Sequence, residues 1–324
     1  MRLKRTIKAY RKYGYHEIWR KIGGVYAILD CAVTQLRLGT TPEEYISLEF
    51  WRKSNREKAK YISYRIDQTI YHYVKSHVTA EQFWRIGDKL QFNRFFGDFI
   101  HRDYLNAAEV DEASVRAFIE KHGVILAKRV SQTQGKGILR IAKEDIDSEL
   151  LKKLISEGYL LEERIVQHHA LASINDSSVN TIRVGTAIDS QNHARIIGAC
   201  LRCGAPGSYV DNFHAGGIAF PIDTDLGVVI NRGITNTSLD HPAVHPGSGV
   251  QMIGFSIPNW KELTDLVIKA SEMVPEMLFL GWDIAVTEDG VEFIEANIGA
   301  DSTVLELDHK GKLDMIRRIL PIRL

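Results

Sequence analysis

The 324-residue sequence has only three cysteines, Cys31, Cys200 and Cys203. That is too few for a disulfide framework and suits a reducing compartment. Cys200 and Cys203 form a lone CxxC, but they lie within ARIIGACLRC, which reads as a strand. Residues three apart on a strand face opposite sides, and neither a second CxxC nor a nearby pair of ligand histidines accompanies them. Zinc and redox chemistry are therefore set aside. No stretch approaches the roughly 18 apolar residues that a spanning helix requires, and the N-terminus MRLKRTIKAYRKYGYHEIWRKIGG lacks the apolar core of a signal peptide. Charge of one sign is not in excess: 41 basic residues balance 41 acidic ones. No global field then draws the chain to nucleic acid, and any positive site must be local. There is no P-loop, no GxGxxG after a strand, no internal repeat and no low-complexity linker. These absences predict a cytoplasmic protein with no nucleic-acid partner.

What is present is 44% hydrophobic sequence, enough for two or three modest domains. Residues 1–110 read mostly as helices, with Ile46, Phe50, Ile62, Ile66 and Ile70 at helix-like intervals. The first 20 residues carry Lys4, Arg5, Lys8, Arg11 and Lys12. They fit an amphipathic helix on a membrane or partner, but the pattern favours an ordinary solvated helix. Residues 111–175 form a compact α+β unit: a strand at 124–130, the loop SQTQGKG, the strand ILRIA, a helix near 144–157 and a strand at 159–166. Residues 176–324 are strand-rich, with a helix beginning at Asn259 as N-cap and Glu262 at the capping-box position. A hairpin and a helix near 309–319 end the chain. The predicted fold class is α+β.

The sharpest chemical signal is the hairpin FLGWDIAVTEDGVEFIEANIGA. Asp283, Glu295 and Asn297 are acids and an amide set in otherwise apolar strands, where an unpaired charge is costly. A three-residue loop, Glu288-Asp289-Gly290, puts Asp283 opposite Glu295, with Asn297 on the same face. A two-residue Asp-Gly turn would break that cluster. Strict alternation places Glu292 on the opposite face. Paired carboxylates repel unless a cation lies between them, and an all-oxygen set suits Mg²⁺.

Three weaker signals accompany it. In AKRVSQTQGKG, Lys128 precedes a loop in which Ser131, Gln134, Gly135, Lys136 and Gly137 suit phosphate contacts. In LLEERIVQHH, Glu162, Glu163 and Ile165 end a strand whose backbone is suited to an adenine amino group. A solvated strand end is the competing reading. In SVNTIRVGT, LRCG and VDNFHAGGIA, Arg183 and Arg202 fall on neighbouring strands, followed by Asn212, His214, Gly216 and Gly217. Adjacent arginines suit bidentate phosphate or carboxylate binding, although either alone also fits a surface ion pair.

Together and in this order, from about residue 88 to 302, these segments resemble the ATP-grasp superfamily. They are most similar to the sugar-transfer-associated ATP-grasp family, in SVNTIRV, VDNFHAGGIA, the stretch His245–Trp260, and GWDIAVTEDG with IEANIGAD. The resemblance implies an ATP-grasp fold: a central α+β lid, a C-terminal antiparallel-sheet subdomain and a helical N-terminal region. It implies ATP with Mg²⁺ or Mn²⁺ as cofactors, Lys89 and Lys128 as phosphate-binding lysines, and 131–137 as a phosphate-covering loop. Glu162–Ile165 become the adenine hinge, and Asp283, Glu295 and Asn297 the metal ligands. The usual ribose-binding acid is replaced by His168 or His169. Arg183 and Arg202 then lie near the transferred phosphate, and His214 is the candidate for accepting the amine proton. The activity implied is a carboxylate–amine ligase acting through an acyl phosphate on small molecules, some of them sugar-linked, in polysaccharide or glycoconjugate synthesis. The alternatives are an ATP-grasp kinase acting on a hydroxyl, or a non-catalytic nucleotide-binding protein.

Overall fold

The structure, a computed structural model, describes residues 15–129, 138–204, 213, 216–235 and 239–324. The N-terminal region is helical: α1 Tyr15–Lys21, α2 Val25–Leu38, α3 Pro42–Ser47, α4 Asn55–Lys58, α5 Tyr64–His77, α6 Ala80–Gly87 and α7 Lys89–Phe95. The helical periodicity of Ile46 to Ile70 does not run through one element. Capping boxes at Thr41 with Glu44 and at Ser54 with Glu57 start α3 and α4 afresh. Each box satisfies backbone N–H groups that a continuing helix would use itself.

A four-stranded antiparallel sheet follows, in the order β1-β4-β2-β3. Its strands are β1 Tyr104–Asn106, β2 Val124–Arg129, β3 Leu139–Ala142 and β4 Tyr159–Glu163, with α8 Glu112–His122 and α9 Ser148–Ser156 between them. Ile125, Ala127 and Leu161 pack with Val115 and Ile119 of α8 and Leu151 and Leu154 of α9. By alternation, Lys128 and Glu162 therefore point to the other face.

After the short helix α10, His169–Ala172, the chain builds a six-stranded antiparallel sheet in the order β10-β9-β5-β6-β7-β8. The strands are β5 Thr181–Ile188, β6 Ala194–Cys203, β7 Ile218–Asp223, β8 Val228–Val229, β9 Phe279–Thr287 and β10 Gly290–Ile298, with α11 Trp260–Glu272 inserted before β9. Short helices α12, Ser302–Leu305, and α13, Leu313–Ile319, end the chain. Asn259 does not cap α11 with its side chain; it adopts a left-handed conformation (φ 53°), which asparagine tolerates well.

Both faces of this sheet are covered, which explains why every residue of β5 is buried. Ile182, Leu201, Trp282, Ile284 and Phe293 pack against α5, α7 and α11. The opposite face meets Trp19, Tyr45 and Phe50 from the N-terminal helices together with Val304 and Leu307. α12 lies directly on the sheet: a Cβ on Gly185 would come within 2.1 Å of Leu305 Cδ1. Cys200 and Cys203 fall on opposite faces, in different clusters, and all three cysteines are buried and outside any disulfide. Among the described residues, no helix is long and apolar enough to cross a membrane.

Candidate functional site

The hairpin brings Asp283 opposite Glu295, but by a different route from the one the turn residues suggest. Thr287 pairs with Gly290 around a two-residue Glu288-Asp289 turn, and a bulge between Phe293 and Glu295 shifts the register by one. The extra residue restores the Asp283–Glu295 pairing. It also brings Glu292, opposite Ala285, onto the same face as Glu295, correcting the alternation expected from sequence.

On that face both carboxylate oxygens of Asp283 meet arginine. Arg183, its neighbour on β5, donates from Nε to Oδ1 and from Nη2 to Oδ2 at 3.0 Å. Arg202 Nη2 lies 3.0 Å from the same Oδ2 and also donates to Thr181 Oγ1 at 2.7 Å. Burial pushes the Asp283 carboxyl pKa up, but the two guanidinium groups outweigh it and hold it below its ordinary value. The two arginines predicted on adjacent strands thus converge on the predicted metal ligand itself. Arg183 Nη1 further donates to Ala300 O at 3.2 Å. Gly281 permits that approach, because a Cβ there would stand 2.8 Å from Ala300 O. The turn itself is strained: Ala300 (φ 51°) and Asp301 (φ 52°) are left-handed without being glycine.

Glu295 is half-buried, and Asn297 Nδ2 approaches its Oε1 at 3.4 Å. Lys89, the first residue of α7, lies where Glu295, Glu162 and Lys128 all act on it. Burial lowers its pKa, with Lys128 adding to the effect and the two glutamates opposing it. Lys128 Nζ pairs with Glu162 Oε2. The second lysine and the hinge glutamate are therefore one ion pair, and the Glu162 side chain belongs to this buried network. β4 ends at Glu163, whose Oε2 accepts from the Asp103 N–H at 3.0 Å, and Ile165 follows in irregular chain.

His168 and His169 sit elsewhere. His168 N donates to Val286 O at 2.7 Å, and His169 Nδ1 lies 2.8 Å from Glu288 Oε1, so both imidazoles flank the turn end of the hairpin. Gly216 (φ 96°) and Gly217 immediately precede β7. Ser131, Gln134, Gly135, Lys136, Gly137, Asn212 and His214 lie outside the described residues.

One residue of the site escaped sequence reading. Arg102 donates from Nη2 to Glu162 Oε1 at 2.8 Å and from Nη1 to Glu292 and to Phe293 O, the latter at 2.7 Å. Glu292 Oε2 also accepts from the His101 N–H at 2.8 Å. The buried chain Lys128–Glu162–Arg102–Glu292 joins the two sheets, and Asn93 Nδ2 donates to Glu162 at 3.1 Å. Burial raises the Glu162 pKa, but Arg102 and Lys128 outweigh it and hold it well below the usual carboxylate range.

Beyond the Ala300 turn lies a second set of carboxyls. Glu44 is pushed up to about 8, chiefly by burial, and so is Asp67, whose Oδ1 has no hydrogen-bond partner among the described residues although Ser302 Oγ donates to Oδ2 at 2.6 Å. Burial also raises Glu306 well above the ordinary value. Groups with raised pKa bind more protons folded than unfolded, so their stabilisation is fully present below about pH 4 and is lost as pH rises through 8. Glu162 and Asp283 act oppositely: their contribution is present above about pH 4 and lost on further acidification. Thermal stability should therefore climb from pH 8 to about 5 and fall below about 4. Asp67→Asn should flatten the upper limb in melts across that range; an unchanged slope would contradict the assignment.

The chain belongs to the sugar-transfer associated ATP-grasp family, whose model matches residues 70–315. The architecture has likenesses among solved structures, each at low identity. One is the ATP-grasp ligase PsnB complexed with a minimal precursor variant, Mg and ADP: 13% identity, 81% of this chain and 68% of that one, TM-score 0.46. Another is D-alanyl-alanine synthetase A from Vibrio cholerae: 10% identity, 71% and 61% coverage, TM-score 0.45. A third is N5-carboxyaminoimidazole ribonucleotide synthetase: 11% identity, 74% and 51% coverage, TM-score 0.40. No curated protein matches the sequence.

Proposed function

We propose that the chain is an ADP-forming ligase that uses ATP and Mg²⁺ to phosphorylate a carboxylate and then couples the acyl group to an amine. The observation that carries this reading is the position of Lys89, which feels both Glu295 of the hairpin and the Lys128–Glu162 pair of the smaller sheet, with the Arg183–Asp283–Arg202 clasp in register with Glu295. Lysines suit the triphosphate as point charges, and fixed guanidinium groups suit charge that develops on phosphoryl and acyl oxygens. Lys128 has three donors, of which Glu162 takes one, so it can serve a phosphate without leaving its partner.

The donor set fits a hard divalent cation. Glu295, the Asn297 carbonyl and the lone pair left on Asp283 Oδ1 are all oxygen donors, and Mg²⁺ held there would neutralise phosphate charge. The chain's own residues then do the positioning. Lys89 and Lys128 hold the phosphates while a substrate carboxylate oxygen bonds to the γ-phosphorus and the bridging bond to ADP breaks. Arg202, fixed by Thr181 and Asp283, faces the acyl phosphate. The amine nitrogen next bonds to the acyl carbon, phosphate leaves with the C–O electron pair, and His214 is the side chain placed by sequence to take the amine proton.

The family description alone favours substrates carried on sugars, such as a uronic acid amidated or an amino sugar acylated. Hydroxylamine supplied with ATP, Mg²⁺ and a panel of sugar acids and amino acids should yield a hydroxamate with stoichiometric ADP and phosphate. AMP with pyrophosphate would reject the route, and a stable phosphorylated alcohol would replace the ligase by a kinase.

A further inference from the structure

We propose that the outer face of α2 docks on an anionic lipid bilayer. This helix buries Ala27, Cys31 and Thr34 against the N-terminal cluster. On its other side Val25, Tyr26, Leu29, Val33 and Leu36 are 73, 81, 60, 46 and 75% exposed. Spacings of four, four and three from Val25 to Leu36 make one stripe, roughly 16 Å long at 1.5 Å per residue. Single exposed apolar side chains are ordinary on a protein surface; a contiguous row on one helix marks an interaction surface.

Charge selects the occupant. The helix's one acid, Asp30, is turned to the buried side, where Lys58 and Tyr45 bind it, so the stripe carries no negative charge. Arg20 and Lys21 precede it and Arg37 ends it. The first 16 residues hold Arg2, Lys4, Arg5, Lys8, Arg11 and Lys12 and no acid, although the whole chain is neutral. Arg20, Lys21 and Arg37 thus flank the apolar stripe, and the sequence that leads into them is basic throughout. That pairing fits an interface of acidic headgroups above acyl chains, because each signal alone gives weak binding and the two together hold. A second copy of the chain would set these basic flanks against each other.

The test is co-sedimentation of the full chain with vesicles of phosphatidylcholine alone or with about one third phosphatidylglycerol. Binding should favour the anionic vesicles at least tenfold and weaken between about 0.1 and 0.5 M salt. Leu29→Glu with Leu36→Glu should reduce it at least tenfold, and Lys8→Glu with Lys12→Glu severalfold. Melting temperature and its shift by Mg-ATP should stay unchanged in both variants, which shows that they are folded. Equal pelleting of wild type and the leucine variant, or no pelleting at all, would overturn the proposal. So would a dimer seen by sedimentation velocity that the leucine substitutions dissociate, since the stripe would then belong to a second copy.

Discussion

Glu295→Gln should abolish turnover while leaving the fold intact, and Asp283→Asn should cost both. The two carboxylates are paired in register, yet their surroundings differ. Glu295 is half-buried, beside Lys89 and Asn297. The amide keeps its shape and removes one charge from the proposed metal and phosphate site. A loss of about two to three orders of magnitude in turnover is expected, the scale of removing one charge-stabilising group from a closed site. Stabilisation by Mg-ATP should vanish with it, because a ligand that no longer binds cannot shift unfolding. Asp283 is buried beneath two arginines, so asparagine leaves both guanidinium groups without their counter-charge and turns an N–H₂ toward one of them. Breaking a buried pair from one side costs about 3–5 kcal/mol, or roughly 4–7 °C in melting temperature for a chain of this size. Calorimetric melts with and without Mg-ATP, beside ADP release, separate the two. If both variants melt like wild type, the clasp is not holding Asp283; if Glu295→Gln keeps turnover, the hairpin is structural.

The hairpin shows how far sequence reading reaches. Acids in apolar strands announced a site because burying a charge demands a partner, and the pairing of Asp283 with Glu295 followed from turn geometry. The true turn is shorter by one residue, and the bulge compensates. Its only local trace is the consecutive apolar pair Phe293-Ile294, where alternation breaks. Missing it put Glu292 on the wrong face, whereas it is buried against Arg102. The arginine partner of Asp283 was not legible either. Two like charges suggested a cation between them; the sheet order sets β5 beside β9 and adds Arg183 to the same carboxylate. Strand order is a tertiary fact that local periodicity does not carry. The short helices were equally obscured, since capping boxes at Thr41 and Ser54 interrupt a continuous apolar rhythm. Arg102 left no trace at all: its partners lie 60 and 190 residues away, and its own segment, FIHRDYL, has no spacing that marks it.

Replacing Arg102 should be the most damaging single change to stability. Its side chain is 3% exposed, as is that of Glu162, and Glu292 is 4% exposed. Arg102→Met keeps the length and apolar body of the side chain but leaves two buried carboxylates facing each other, with Lys128 as counter-charge for only one. The expected loss is about 3–5 kcal/mol, and Phe293 O also loses a donor. Arg102 is the first of the two cations that hold the Glu162 carboxyl down against burial, so without it that carboxyl should take up a proton more readily. The deficit relative to wild type should therefore shrink as pH is lowered toward 5 and widen toward 8. Glu292→Gln in the same background should recover much of the loss, since one of the two uncompensated charges is gone. Glu292→Gln alone should still destabilise, by leaving Arg102 with a single carboxylate. Denaturant melts of the two single variants and the double, at pH 5.5 and at about 8, give the coupling free energy directly. Additive losses with no pH dependence would mean that the four-residue chain between the sheets does not act as a unit, and that another contact aligns the lysine-bearing sheet with the hairpin.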